Sequence, residues 1–146
     1  LCEARPADGV ACGVCRGCAL LASGNHPDLK RVSPEEDKKS IAVDQIRELI
    51  EFFTLKSHYQ GRKIAIVHPA DVMNTNAANA LLKLREEPPG AALLLLVANR
   101  PALLPATVLS RCQRVDLALP DWDLRERWLV EQLAGRESAP KLGELS

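Results

Sequence analysis

Lys63-Ile64-Ala65-Ile66-Val67 and Ala91-Ala92-Leu93-Leu94-Leu95-Leu96-Val97 are two aliphatic runs whose reading decides the fold. Beyond Lys63 neither run contains a polar residue, which is the pattern of a strand buried on both faces. Between them Ala77, Leu81 and Leu84 recur on one helical face. Pro88-Pro89 closes that helix, because the residue before a proline is pushed out of the helical region. Apolar strand, helix and apolar strand predict a right-handed βαβ crossover, and therefore an α/β fold built on a parallel sheet. Past the second run, Leu109-Ser110-Arg111-Cys112 sets an arginine between a turn and another short strand, Arg114 to Leu117. In such sheets the chemistry gathers at the strand ends.

Working outward toward the N-terminus, Val43, Ile46, Leu49, Ile50 and Phe53 repeat at helical spacing and predict an amphipathic helix packed across the sheet. Asp44 and Glu48 lie toward its start, where the helix dipole favours acidic side chains. Ser33 to Ser40 is charged and turn-rich and reads as a solvated loop, and Leu29-Lys30-Arg31-Val32 before it reads as a short strand. His26-Pro27-Asp28 is the turn into that strand. In the other direction, Leu124, Trp128, Leu129 and Leu133 form the apolar stripe of a helix over 121–133, with Gly135 placed to cap it. One such helix cannot bury its own stripe, so Trp128 needs a partner elsewhere. Pro120 marks a hinge before this helix, and Glu137 to Ser146 reads as a tail.

The composition narrows the function. Hydrophobic residues make up 47% and aromatics only 3%, so the core must be aliphatic. The formal net charge is zero, which leaves no global basic field for non-specific nucleic-acid binding. No apolar stretch approaches the length of a membrane span and no signal-peptide pattern opens the chain, so a cytosolic protein is expected. Leu1-Cys2-Glu3 starts without methionine and without a preceding strand, as though entered partway through a helix, which suggests a fragment.

Cys2-x9-Cys12-x2-Cys15-x2-Cys18 is the sharpest chemical signal. A Cys-x-x-Cys turn brings two thiolates to one tetrahedral zinc with little strain, and Gly13 and Gly17 let the backbone fold around the ion. The rival readings are a redox pair and unconnected reduced thiols. Redox pairs do not usually carry a third and fourth cysteine at ligand spacing, so one structural zinc per chain is expected on Cys2, Cys12, Cys15 and Cys18. Should Cys2 not take part, His26 is the fallback ligand.

At the tip of the first aliphatic strand stand His68 and Pro69, with Asp71 three residues late. A P-loop nucleotide hydrolase needs acidic residues there for Mg²⁺ and the attacking water. Asp71 reads instead as a turn or capping residue. No Gly-x-x-x-x-Gly-Lys-[Ser/Thr] loop occurs, so nothing in the sequence cradles a triphosphate and no ATP hydrolysis is expected of it. Taken locally, Arg111 is a surface arginine in an ordinary ion pair.

Together the cysteines, His26-Pro27-Asp28, Ile41 to Leu49, Ala78-Asn79-Ala80-Leu81-Leu82-Lys83, Glu86-Glu87-Pro88-Pro89 and Leu109-Ser110-Arg111-Cys112 resemble the delta-prime subunits of the bacterial DNA polymerase III clamp loader, an AAA+-type family. The likeness runs over nearly the whole chain. The Asn-Ala-Leu-Leu-Lys and Ser-Arg-Cys blocks occur across clamp-loader subunits, and the cysteine cluster is shared with the ATP-hydrolysing gamma/tau subunits. The non-acidic His68-Pro69 tip selects delta-prime.

The resemblance implies an AAA+-like parallel sheet flanked by helices. It divides the chain into a zinc module over 1–25, an α/β core over 26–119 lacking the family's first strand and P-loop, and the first helix of a small lid domain over 120–146. It implies that Arg111 is an arginine finger acting in trans on a neighbouring gamma/tau subunit. Ser110 and a small buried Cys112 would shape its turn. The partners it implies are gamma/tau and delta, and through the complex the sliding clamp and primed DNA, with no ATP bound by this chain. Arg85 stands where the family has a leucine, which bears on how that helix ends. Without the first strand, an unpaired sheet edge is expected. Two other readings stay in view. One is a gamma/tau-like ATPase with its P-loop cut away. The other, ranked last, is a zinc module binding nucleic acid directly, for which Arg5 and Arg16 are the only basic residues in 1–24.

Overall fold

The computed structural model describes residues 1–4, 9–59, 61–85 and 92–134. Three parallel strands form one sheet in the order β1 (Leu29–Val32), β2 (Lys63–Val67), β3 (Ala92–Leu96). Their register is continuous, with Leu29 beside Ile64 and Ile64 beside Leu93. The predicted crossover is present, since α3 (Thr75–Leu82) connects β2 to β3. Asn74 caps α3 by accepting the Ala77 amide at 2.8 Å. The α-helix ends at Leu82 and a tight 3₁₀ turn, Lys83–Arg85, follows, with Leu84 packed against the core. Pro88-Pro89, the Arg85 side chain, Gly135 and the expected tail lie outside the described residues.

α2 (Val43–Thr54) covers one face of the sheet. The Gln45 side chain reaches back to the Ala42 N–H at 3.0 Å and ties the helix start to the Ser33 carbonyl at 2.7 Å. Ile46 and Leu49 on this helix are fully buried against Val32, Ala65 and Val67 of the sheet. The core is aliphatic, as the composition requires, and Phe53 is the one aromatic ring fully enclosed in it among the described residues. Leu49→Ala removes buried methyls without offering a route to collapse. It is expected to cost the intact protein roughly 2–5 kcal/mol, read from denaturant unfolding.

Two expectations fail here. β3 is not buried on both faces, because Leu94 and Leu96 pack on the core while Leu93 and Leu95 on the opposite face are 37% and 42% exposed. β3 is an edge strand, and among the described residues nothing covers that face. Arg114 to Leu117 is not a strand, since 113–121 has no regular structure and Val115 and Leu117 are exposed. Among the described residues no backbone hydrogen bond is made by Arg114 to Leu117, and without a ladder a β-favouring sequence stays irregular.

The chain divides into two compact units, Leu1–Gln113 and Arg114–Ser146. The second holds α5 (Trp122–Ala134), within one residue of the expected span. Its Trp122, Leu124, Trp128 and Leu129 are exposed, so the stripe has no partner within that unit among the described residues. No helix among the described residues is long and apolar enough to cross a membrane.

Candidate metal centre and arginine-bearing turn

The four N-terminal cysteines converge. The sulfurs of Cys2, Cys12, Cys15 and Cys18 all lie within 4.8 Å of one another, with Cys12 and Cys18 at 3.9 Å and Cys2 and Cys15 at 4.0 Å. A tetrahedral zinc with Zn–S bonds of about 2.3 Å sets its sulfurs roughly 3.8 Å apart, so the donor set fits this metal. Local backbone geometry builds the cluster. Gly13 turns the chain at φ +73°, a left-handed conformation that glycine adopts without penalty. Cys15 caps α1 (Arg16–Ala22), its sulfur accepting the Cys18 N–H at 3.4 Å, and Cys12 likewise accepts the Cys15 N–H at 3.3 Å. Amide donors aimed at sulfur favour thiolate, the form a metal requires.

Three of the four thiols hold their protons unequally. Hydrogen bonding from the Glu3 backbone and then Cys18 lowers the Cys15 thiol to about 6. Backbone donors at Val14 and Cys15 also lower Cys12. Cys18, whose proton is held by the Cys15 sulfur, is pushed up to about 12. A divalent cation among the sulfurs replaces those protons.

Gly17 packs where no side chain fits. A Cβ at this position would overlap the Leu1 carbonyl oxygen, and the Gly17 N–H donates to the Glu3 carboxylate at 3.1 Å. Gly17→Ala is therefore expected to push the Cys2 strand off α1. Zinc affinity of the intact protein should fall about 10–100-fold in a chelator competition, the range seen when the supports of a metal site are lost.

His26 is not part of this cluster. Its Nδ1 accepts the Asp28 N–H at 3.1 Å, which makes it the turn into β1. Asp28, also buried, accepts the amides of His58 and Tyr59 and fixes the loop after α2.

At the far side of the chain, Leu104 and Val108 are buried and anchor α4 (Ala106–Leu109) to the core. The turn after α4 carries Arg111, whose N–H donates to the Val108 carbonyl at 3.1 Å. Its guanidinium donates to the Thr107 carbonyl at 2.7 Å, is exposed, and forms no ion pair among the described residues. The Ser110 hydroxyl donates to the same carbonyl at 3.3 Å. Cys112 is exposed rather than buried, because the chain leaves the core after Val108 and nothing described folds back over it. Phe53, Leu81, Leu94 and Val108 line an apolar cleft beside Arg111 and Cys112.

The tip of β2 is His68 and Pro69, joined by a cis peptide bond. Asp71 lies in a 3₁₀ turn with its side chain almost fully buried, accepting the Asn99 N–H at 3.1 Å and facing the Arg100 guanidinium at 3.6 Å. Burial alone would raise this carboxyl, but the Asn99 amide, its own amide and the Arg100 charge together hold it below the usual range. Sequence reading placed Asp71 in a turn and missed its partner, because the two residues are 28 apart and meet only across the sheet.

A family model described as "DNA polymerase III, delta subunit" matches residues 1–121. A Pseudomonas aeruginosa protein named DNA polymerase III subunit delta' is 46% identical over 99% of this chain and 44% of its own length. The Escherichia coli protein of the same name is 37% identical over 95% of this chain and 41% of its own. A crystal structure of a DNA polymerase III gamma subunit-related protein from Thermotoga maritima superposes with a TM-score of 0.62 at 32% identity, covering 74% of this chain and 38% of that one. The chain thus spans less than half the length of the curated relatives it matches. On these matches the chain belongs to the family of DNA polymerase III delta-type subunits.

Proposed function

We propose that this chain belongs to a non-hydrolysing clamp-loader subunit, working in the cytosol, which supplies Arg111 as an arginine finger to the ATP site of a neighbouring gamma/tau subunit. The observation that carries this reading is the state of Arg111: a guanidinium held on a core-anchored turn, exposed, and not engaged in any ion pair among the described residues. An arginine already paired with a carboxylate would have to break that pair before it could reach a phosphate. This one has only the Thr107 carbonyl, a bond it can exchange for phosphate oxygens. The non-acidic tip at His68-Pro69 supports a role without hydrolysis by this chain. The His68-Pro69 tip also weighs against a truncated gamma/tau-like ATPase.

With gamma/tau, the delta subunit and this subunit assembled, the complex would open the sliding clamp and place it on primed DNA. One structural zinc on Cys2, Cys12, Cys15 and Cys18 would hold the N-terminal module. Nothing in this role asks the zinc module to touch DNA. The test is Arg111→Ala in the full-length subunit, read as ATP turnover of the reassembled loader. Unchanged turnover at the adjoining site removes the finger.

A further inference from the structure

Asp71 has no part in the reading above, yet it is a nearly fully buried carboxylate spanning two loops. Its Oδ1 takes the Asn99 N–H, its Oδ2 faces Arg100, and beside it the Ala70 N–H donates to the Val97 carbonyl at 2.7 Å. After Asn99 the backbone forms two hydrogen-bonded turns, one over 100–104 and one over 105–111, joined at the Leu104–Pro105 peptide. Leu103 and Leu104 donate to Arg100 and Pro101, Val108 and Leu109 donate to Pro105, Ser110 donates to Ala106, and Arg111 donates to Val108. Asn99 and Arg111 are thus the two ends of one short segment, whose turns are joined directly and seated on the core by Leu104 and Val108.

We propose that Asp71 is a positioning residue for Arg111, clamping the start of the 99–112 segment whose far end carries the guanidinium. The inference rests on the arginine-finger reading. Its physical content is that Leu104 and Val108 give the segment apolar anchors, which resist withdrawal but permit rolling, whereas a directed amide–carboxylate bond fixes its orientation. A finger must meet a phosphate oxygen to within a fraction of an ångström, and misplacement by about 1 Å can cost on the order of 100-fold.

The test uses the full-length subunit, alone and in the reassembled loader, with Asp71→Ala, Asp71→Asn and Arg111→Ala. Asp71→Ala is expected to speed amide hydrogen exchange at Asn99, Leu103, Leu104 and Arg111 by about 10-fold while β2 and β3 amides keep their rates. In the loader it should lower kcat at the adjoining site by roughly 10-fold with KM for ATP unchanged, and lower it no further when Arg111 is already alanine. Asp71→Asn keeps an oxygen for the Asn99 amide and should restore both readouts to within about threefold of the wild type.

Unchanged exchange in Asp71→Ala overturns the clamp. So does a kcat loss that recurs in full on the Arg111→Ala background, which would mean that Asp71 acts elsewhere. Depressed turnover in Arg111→Ala with normal turnover in Asp71→Ala overturns the clamp alone, and normal turnover in Arg111→Ala overturns the finger and the clamp's catalytic role together. If Asp71→Ala does not fold, Arg100→Ala removes only the exposed partner. It should speed exchange at Asn99 and Leu103 by about threefold, and unchanged rates there overturn the proposal.

Discussion

Arg111→Ala in the full-length subunit, reassembled with its partners, is expected to cut single-turnover ATP hydrolysis at the adjoining site by on the order of 10³-fold or more. The affinity for ATP should stay within about threefold, because the finger meets charge that develops as the γ-phosphoryl group leaves and contributes little to the ground state. Arg111→Lys should recover only a small part of the rate. An ammonium keeps the charge but lacks the planar fork that spans two phosphate oxygens. The loss belongs to one site, so steady-state turnover of the whole loader will fall less than the single-turnover rate. Assembly should be intact, since Arg111 is exposed and the hydrogen bond of its guanidinium among the described residues goes to the neighbouring Thr107 carbonyl. Equal hydrolysis by the wild-type and Arg111→Ala loaders would leave the guanidinium as an ordinary surface group.

What could be read from the residues, and what could not, follows from the range of the interactions. Lys63 to Val67 announces a strand because its aliphatic run is local, and the strand forms where expected, but it is buried on one face only, with Ile64 and Ile66 half-buried. The cysteine cluster is equally local: thiols three positions apart share a turn, and only Cys2 must return from a distance. The run from Leu93 to Val97 looked identical to a doubly covered strand, yet whether a face is covered depends on which other elements reach it, and its own letters cannot say. Arg114 to Leu117 has strand-forming residues and no ladder, so propensity without a neighbour yielded nothing. Cys112 is expected inside on the family resemblance and lies outside because the chain has already left the core. The Asp71–Asn99 bond was out of reach for the same reason in reverse, being created by the parallel pairing that brings the ends of β2 and β3 together. Arg111 marks the limit most sharply. Its turn is built from local bonds, but its proposed use depends on a surface that belongs to another subunit.

The zinc prediction has the other large effect. Intact protein purified under reducing conditions and never exposed to chelator should carry one zinc per chain, and Cys18→Ser should carry none. Cys18 is the most buried of the four sulfurs, so no water or surface group can easily take its place among the donors. Removing a direct ligand should weaken binding by more than the 10–100-fold typical of a lost support, hence by at least about 10²-fold. Cys112→Ser is the matched control, since that thiol is exposed and outside the cluster, and it should keep the full zinc content. The pH dependence has a definite sign. Zinc competes with protons for the sulfurs, so affinity falls as pH falls. At neutral pH the metal meets a Cys15 sulfur already largely ionised, with its thiol near 6, but must displace a proton at Cys18, whose thiol lies near 12. Zinc release on acidification should therefore become marked below about pH 6, where Cys15 too must be deprotonated by the metal. Retention of one zinc by Cys18→Ser, or an affinity that does not change between pH 7 and about pH 5, would mean that the four thiolates are not the ligand set.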